Sequence, residues 1–241
     1  MRIEGGYFSV SRNKGEEMPI REVFFDLGDT LVETKPEMYV DAAQRIAVEG
    51  GKNITADDLR EAIKDEWYER NGEDIQWVNT DEVEIRYWRE FYRSVLERLG
   101  VNTPSQVLVD LLAHRAADPN SFGCFEDVEE ILAALKRKGI EIGLISNAFP
   151  SARHIMDKLG LTHWFNPLVL SYEYTCAKPC LEIYQYAIDC AGIKPEEALF
   201  VDDRFKFIAG AVEVGMEIRL LDREGKCKSE YPKINSLCEL L

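Results

Sequence analysis

Short apolar runs and long amphipathic stretches alternate along the chain in a readable order. Arg21-Glu-Val-Phe-Phe-Asp-Leu27 is a compact apolar run with β-branched and aromatic residues, closed by Gly28. It predicts a buried strand of the parallel type followed by a turn. Residues 36–115 carry helical periodicity and no strand pattern, with four helices expected near 37–50, 55–70, 80–100 and 104–115. From about residue 126 the pattern alternates: helix 126–138, strand 140–146, helix 150–160, strand 167–171, helix 180–192, strand 198–202, helix 205–214 and strand 217–221. A helix after each strand implies right-handed crossovers and a parallel sheet covered on both faces. The fold class expected is therefore α/β, a doubly wound parallel sheet interrupted by a helical insertion. The domains expected are a leader at 1–20, a core formed by 21–35 with 116–241, and a helical cap at 36–115.

Composition narrows the partners. With 241 residues and 46% apolar content the chain can build a sizeable core. Its formal net charge of −15 opposes nucleic acid and anionic membrane surfaces. No apolar run approaches the ~20 residues of a membrane span, and the first 20 residues lack the apolar centre of a signal peptide. The six cysteines form no CxxC pair. A cytoplasmic, reduced protein is expected.

Ligands of open parallel sheets bind beyond the carboxyl ends of the strands. The residues that follow the predicted strands are Asp26, Gly28, Asp29 and Thr30; Ser146 and Asn147; the segment with Lys178; and Asp202, Asp203 and Arg204. Carboxylates, a lysine and a small hydroxyl at one sheet edge are the groups that phosphoryl transfer to a carboxylate requires.

Phe25-Asp-Leu-Gly-Asp-Thr-Leu31, Leu144-Ile-Ser-Asn147, Ala177-Lys-Pro179 and Phe200-Val-Asp-Asp-Arg204 resemble, in order, the four motifs of the haloacid dehalogenase-like (HAD) hydrolase superfamily. The insertion at 36–115 resembles its helical cap. The resemblance implies an enzyme, a phosphatase of small phosphorylated metabolites, with Asp26 as the nucleophile that becomes phosphorylated. It implies Mg²⁺ held by Asp26, the Gly28 carbonyl and Asp203, with Asp202 as a further ligand or a support. Ser146 and Lys178 would bind the phosphoryl group, Thr30 would support the loop, and Asn147 would face the substrate.

Two positions depart from the family pattern. Gly28 stands where phosphatases of the family carry a second, acid/base Asp, and Phe207 stands where a polar residue helps orient the lysine or the metal shell. Asp29 is a candidate substitute acid, although in an extended chain it would point away from Asp26. Three alternatives follow: a weakly catalytic phosphate-binding protein on the same scaffold, a 2-haloacid dehalogenase, and a phosphonatase-type hydrolase using a cap lysine such as Lys52 or Lys64. Cys176 and Cys180 flank Lys178 and are expected to be reduced spectators. Tyr87, Trp88, Phe91 and Tyr92 are expected to form cap core.

Overall fold

The computed structural model describes residues 8–10, 18–70, 77–174 and 176–241. Their backbone contacts form two compact units. One holds the described residues up to Glu33, with Cys124–Asn147 and Leu161–Leu241; the other holds Thr34–Gly123 and Ala148–Gly160.

The first unit is built on a six-stranded sheet of order β10-β9-β8-β3-β6-β7, with every neighbour parallel. Its strands are β3 (Glu22–Phe25), β6 (Glu141–Ser146), β7 (Leu168–Leu170), β8 (Ala198–Asp202), β9 (Glu217–Leu221) and β10 (Lys233–Ile234). β3 lies between β6 and β8, so the chain winds away from it in both directions. That reversal opens a crevice at the carboxyl ends of these strands. α5 (Val128–Arg137), α7 (Leu181–Ala191) and α8 (Phe205–Val214) pack on the sheet. Side chains alternate across the strands. Phe24, Phe200, Ile218 and Leu220 join Ile183, Tyr184, Ile208 and Ala211 of α7 and α8 in one buried cluster. Gly143 of β6 lies opposite Phe24, and a Cβ there would come 2.4 Å from the Phe24 ring, so the sheet closes at this point only around glycine.

The second unit is helical: α1 (Pro36–Gly50), α2 (Ala56–Glu69), α3 (Asp81–Arg98), α4 (Gln106–Ala117) and α6 (Ser151–Lys158). Thr55, Thr80 and Ser105 cap α2, α3 and α4 by accepting from backbone N–H groups of the first turn. Tyr87 and Phe91 are buried, and Trp88 and Tyr92 pack against the same core, as their helical spacing predicts. Phe149 packs into this cluster with tilted rings, 4.8 Å from the Trp88 ring and 4.9 Å from Tyr87. The buried Glu84 carboxylate accepts from the Ser151 amide at 2.9 Å and the Ser151 hydroxyl at 2.5 Å. These contacts carry residues 148–160 into the helical unit, a grouping that the helix periodicity of 150–160 does not reveal.

The predicted helices and strands each correspond to an observed element. The pattern also missed short strands: β4 (Val32–Thr34) and β5 (Phe122–Cys124), which pair in a small sheet, and β10 at the sheet edge. Most of the expected leader lies outside the described residues, but β1 (Phe8–Val10) pairs antiparallel with β2 (Met18–Ile20). No helix among the described residues is long and apolar enough to cross a membrane.

Glu22 opens β3 directly opposite Glu141 and is buried, with Oε1 lacking a hydrogen-bond partner among the described residues. Burial first, and then Glu141, push its carboxyl from the ordinary 4.5 up to about 7, against the opposing pull of Lys136 and Arg21. A carboxyl raised on folding holds its proton longer in the folded state, so stability falls as pH rises from the unfolded value through the folded one. Glu22→Gln is therefore expected to raise the melting temperature at pH 8 and to change it little near pH 4.5. Equal shifts at both pH values would assign the effect to packing rather than charge.

Candidate active site

Four sequence segments meet at the carboxyl edge of the sheet. Asp26 follows β3, and its amide donates to the Val201 carbonyl at 2.9 Å, which ties the loop to β8. The loop then turns sharply: Leu31 and Val32 both donate to the Leu27 carbonyl, and Asp29 donates to Val32. Asp29 takes a left-handed φ of 57°. The turn expected after this strand is present at Asp29, and the Asp29 carboxylate contributes to raising the Asp203 carboxyl. Thr30 is fully buried, and its carbonyl accepts from Arg223 at 2.8 Å. Gly28 keeps an ordinary backbone, and a Cβ built there meets nothing within 4 Å.

Lys178 is the centre of the site. It is fully buried, and its Nζ donates to Asp26 Oδ1 and to Asp202 Oδ2, each at 2.6 Å. Burial alone would push its ammonium down; the Asp202 and Asp26 carboxylates outweigh that and hold it above the usual lysine range. Two rings complete the surroundings, with Nζ 4.8 Å from the Phe207 centroid and 5.2 Å from Phe200. Phe207 therefore does not leave the lysine unsupported, as its apolar type suggested. It presents a π-face to the ammonium instead of a polar group.

Asn147 has a role that spacing did not reveal. Its Nδ2 donates to the Lys178 carbonyl at 2.8 Å, and its Oδ1 accepts from the Lys178 amide at 2.6 Å. The amide expected to face a substrate clamps the lysine backbone. Ser146 ends β6 and is buried at the same strand edge. Asp202 uses both oxygens: Oδ2 accepts from Lys178, and Oδ1 from the Arg204 amide at 2.8 Å. Burial raises the Asp202 carboxyl, Lys178 pulls it down, and Asp26 pushes it up again, with a net rise.

Asp26, Asp202 and Asp203 each offer an oxygen within 4.8 Å of the others. Burial, followed by Asp202, Asp29 and Asp26, pushes the Asp203 carboxyl well above the carboxylate range. One ammonium faces three carboxylates, so the cluster carries excess negative charge with only oxygen donors. That set fits a hard divalent cation such as Mg²⁺. The charge also explains why an anionic substrate would need such a cation at this edge.

Known proteins resemble this chain in sequence and in fold. Residues 20–215 match the family described as haloacid dehalogenase-like hydrolase. A glyceraldehyde 3-phosphate phosphatase of Methanocaldococcus jannaschii is 28% identical over 238 residues, spanning 92% of this chain and 96% of the relative. The fold is similar to L-2-haloacid dehalogenase from Xanthobacter autotrophicus (TM-score 0.69, 19% identity, 92% of this chain and 96% of that one). It is also similar to the HAD-hydrolase YfnB of Bacillus subtilis bound to magnesium (TM-score 0.65, 17% identity, 91% and 96%).

Removing one partner of a buried ion pair strands the other charge. Lys178→Met is expected to lower stability by about 3–5 kcal/mol, or roughly 6–20 °C in melting temperature for a chain of this size. Calorimetry checks this. A change within ±1 °C or so would mean that the two aspartates do not depend on the lysine.

Proposed function

The chain belongs to the haloacid dehalogenase-like hydrolase family, and from that premise we propose that it hydrolyses small phosphorylated metabolites through a phospho-Asp26 intermediate with Mg²⁺. The observation that carries this reading is the buried Asp26–Lys178–Asp202 triad with Asp203 beside it. Lys178 fixes one Asp26 oxygen with a hydrogen bond of 2.6 Å. The other oxygen attacks phosphorus, and the bond from phosphorus to the leaving oxygen breaks with its electron pair going to that oxygen. Water then attacks the phosphorus of the aspartyl phosphate, which releases inorganic phosphate and restores the carboxylate. Ser146 donates to a phosphoryl oxygen from the end of β6.

Asp26, Asp203 and the Gly28 carbonyl would hold the Mg²⁺, and Asp202, with both oxygens engaged, supports Lys178. When bound, the ion supplies Lewis-acid neutralisation of phosphoryl charge. Ligand linkage gives the first expectation. Mg²⁺ at 100 times its Kd should stabilise the protein by about 2.7 kcal/mol, or roughly 5–11 °C. Asp203→Asn should remove that shift, and a thermal scan with and without Mg²⁺ checks it.

Gly28 sets the leaving-group preference. Without an acid two residues from the nucleophile, acyl and aryl phosphates, whose leaving groups depart as anions, should turn over faster than alkyl phosphates. The open space at Gly28 admits a side chain. Gly28→Asp is expected to raise alkyl phosphate turnover by about 10²-fold or more, and Asp29→Asn tests Asp29 as a substitute acid. Phosphate release from a panel of acyl, aryl and sugar phosphates measures both. The reading is lost if no substrate releases phosphate and Asp26→Asn matches wild type. Gly28 also favours one rival, a weakly catalytic phosphate-binding protein. Mg²⁺-dependent binding of beryllium fluoride, with no turnover even in Gly28→Asp, would select it.

A further inference from the structure

A second cluster of ligating side chains lies around the segment that carries Lys178. Cys176 Sγ, Cys180 Sγ and a Glu182 carboxylate oxygen lie within 4.8 Å of one another. Cys180 stands immediately before α7, Glu182 is in its first turn, and the Cys180 amide donates to the Ala177 carbonyl at 2.9 Å. This turn folds the segment back so that its two sulfurs face each other. The Cys180 thiol donates to Glu182 Oε2 at 2.7 Å, and the Ile183 amide interacts with the Cys176 sulfur and favours its thiolate. Both cysteines are partly buried, and Glu182 is exposed.

We propose that Cys176, Cys180 and Glu182 form a binding site for a borderline or soft divalent cation of the Zn²⁺ class, with solvent in the remaining position. Two sulfurs and one carboxylate select that class over Mg²⁺, which prefers the all-oxygen aspartate cluster. Tetrahedral Zn²⁺ sets ligand separations of roughly 3.8 Å between sulfurs and roughly 3.6 Å between sulfur and oxygen. The observed ceiling of 4.8 Å is reached from there by small side-chain rotations. A disulfide is the rival use of two adjacent cysteines. Oxidation proceeds through the thiolate, and burial first, then the Cys180 hydrogen bond, push the Cys176 thiol up to about 12. A divalent cation supplies the positive charge that this environment lacks.

Binding balances as one divalent ion taken up, two thiol protons released to solvent and the Glu182 carboxylate retained. Affinity therefore rises with pH, by up to about a hundredfold per unit while both thiols are protonated. Occupancy would tie together the two ends of the segment bearing Lys178. The site does not rest on the phosphatase reading, because its ligands lie outside the aspartate cluster and its readout is spectroscopic.

The test is a Co²⁺ titration of the full chain under a phosphine reductant, with Mg²⁺ in excess to occupy the aspartates. The expected result is thiolate-to-cobalt charge transfer with tetrahedral ligand-field bands, saturating at one ion per chain. Zn²⁺ should displace the cobalt, and two protons should be released per ion. Cys176→Ser and Cys180→Ser should each weaken binding by at least about tenfold, a loss that even residues behind metal ligands produce. Cys190→Ser, at an exposed cysteine outside the cluster, should leave the titration unchanged. The proposal is overturned if wild type shows no charge transfer, or if both serine variants keep it. Should either variant fail to fold, proton release by wild type decides: binding without release overturns the site.

Discussion

The structure turns on one buried ammonium. Lys178 reaches Asp26 at the end of β3 and Asp202 at the end of β8, so a single side chain bonds to the ends of two parallel strands. Burying such a charge is costly unless every donor finds a partner. The surroundings meet that demand from several directions. Asn147, just past β6, holds both backbone groups of the lysine, Phe207 and Phe200 present ring faces to Nζ, and the Arg204 amide satisfies the second oxygen of Asp202. β3, β6 and β8 are adjacent in the sheet, and parallel order brings their carboxyl ends to one edge. The sheet topology is thus what makes the buried charge affordable.

The same edge is unbalanced in sign. One ammonium faces Asp26, Asp202 and Asp203, and the Asp203 carboxyl is held far above its usual range. The net charge of −15 is in part this local cluster of carboxylates. The similarity in fold to dehalogenases does not choose the chemistry, since a fold hosts many reactions. The second acidic residue at the end of β8 does more to discriminate. Asp202 is fully engaged with Lys178 and Arg204, which leaves Asp203 as the carboxylate whose charge a divalent ion would relieve.

Much of this was legible in the chain. Asp26 and the Asp202–Asp203 pair could be placed because they close strongly apolar strands, whose ends share an edge in a doubly wound sheet, and Lys178 because its Ala177-Lys-Pro179 segment follows the next strand in order. The long helices declared themselves by period and by caps such as Thr55 and Thr80. Three-residue strands such as Val32–Thr34 and Phe122–Cys124 are too short for a period to register. The grouping of 148–160 with the helical unit depends on Phe149 among aromatic rings and on Glu84 at Ser151, contacts between residues far apart in sequence. Asn147 and Phe207 show the same limit. One bonds to the Lys178 backbone and the other sets its ring beside the ammonium, contacts that no local pattern encodes.

Residues 176–182 show how closely two kinds of chemistry can be interleaved. Lys178 lies between Cys176 and Cys180, yet its ammonium points into a set of hard oxygens while the sulfurs gather with Glu182 at the start of α7. The turn from Ala177 to Cys180 separates them. It directs Lys178 toward the strand ends and folds the flanking thiols toward each other. A cation that prefers oxygen and one that prefers sulfur would therefore find different ligands on either side of one short segment. A divalent cation would relieve the crowding that raises the Asp203 carboxyl, and a cation with affinity for sulfur would displace the proton that burial favours on Cys176. Selectivity between two such sites would then follow from ligand type alone.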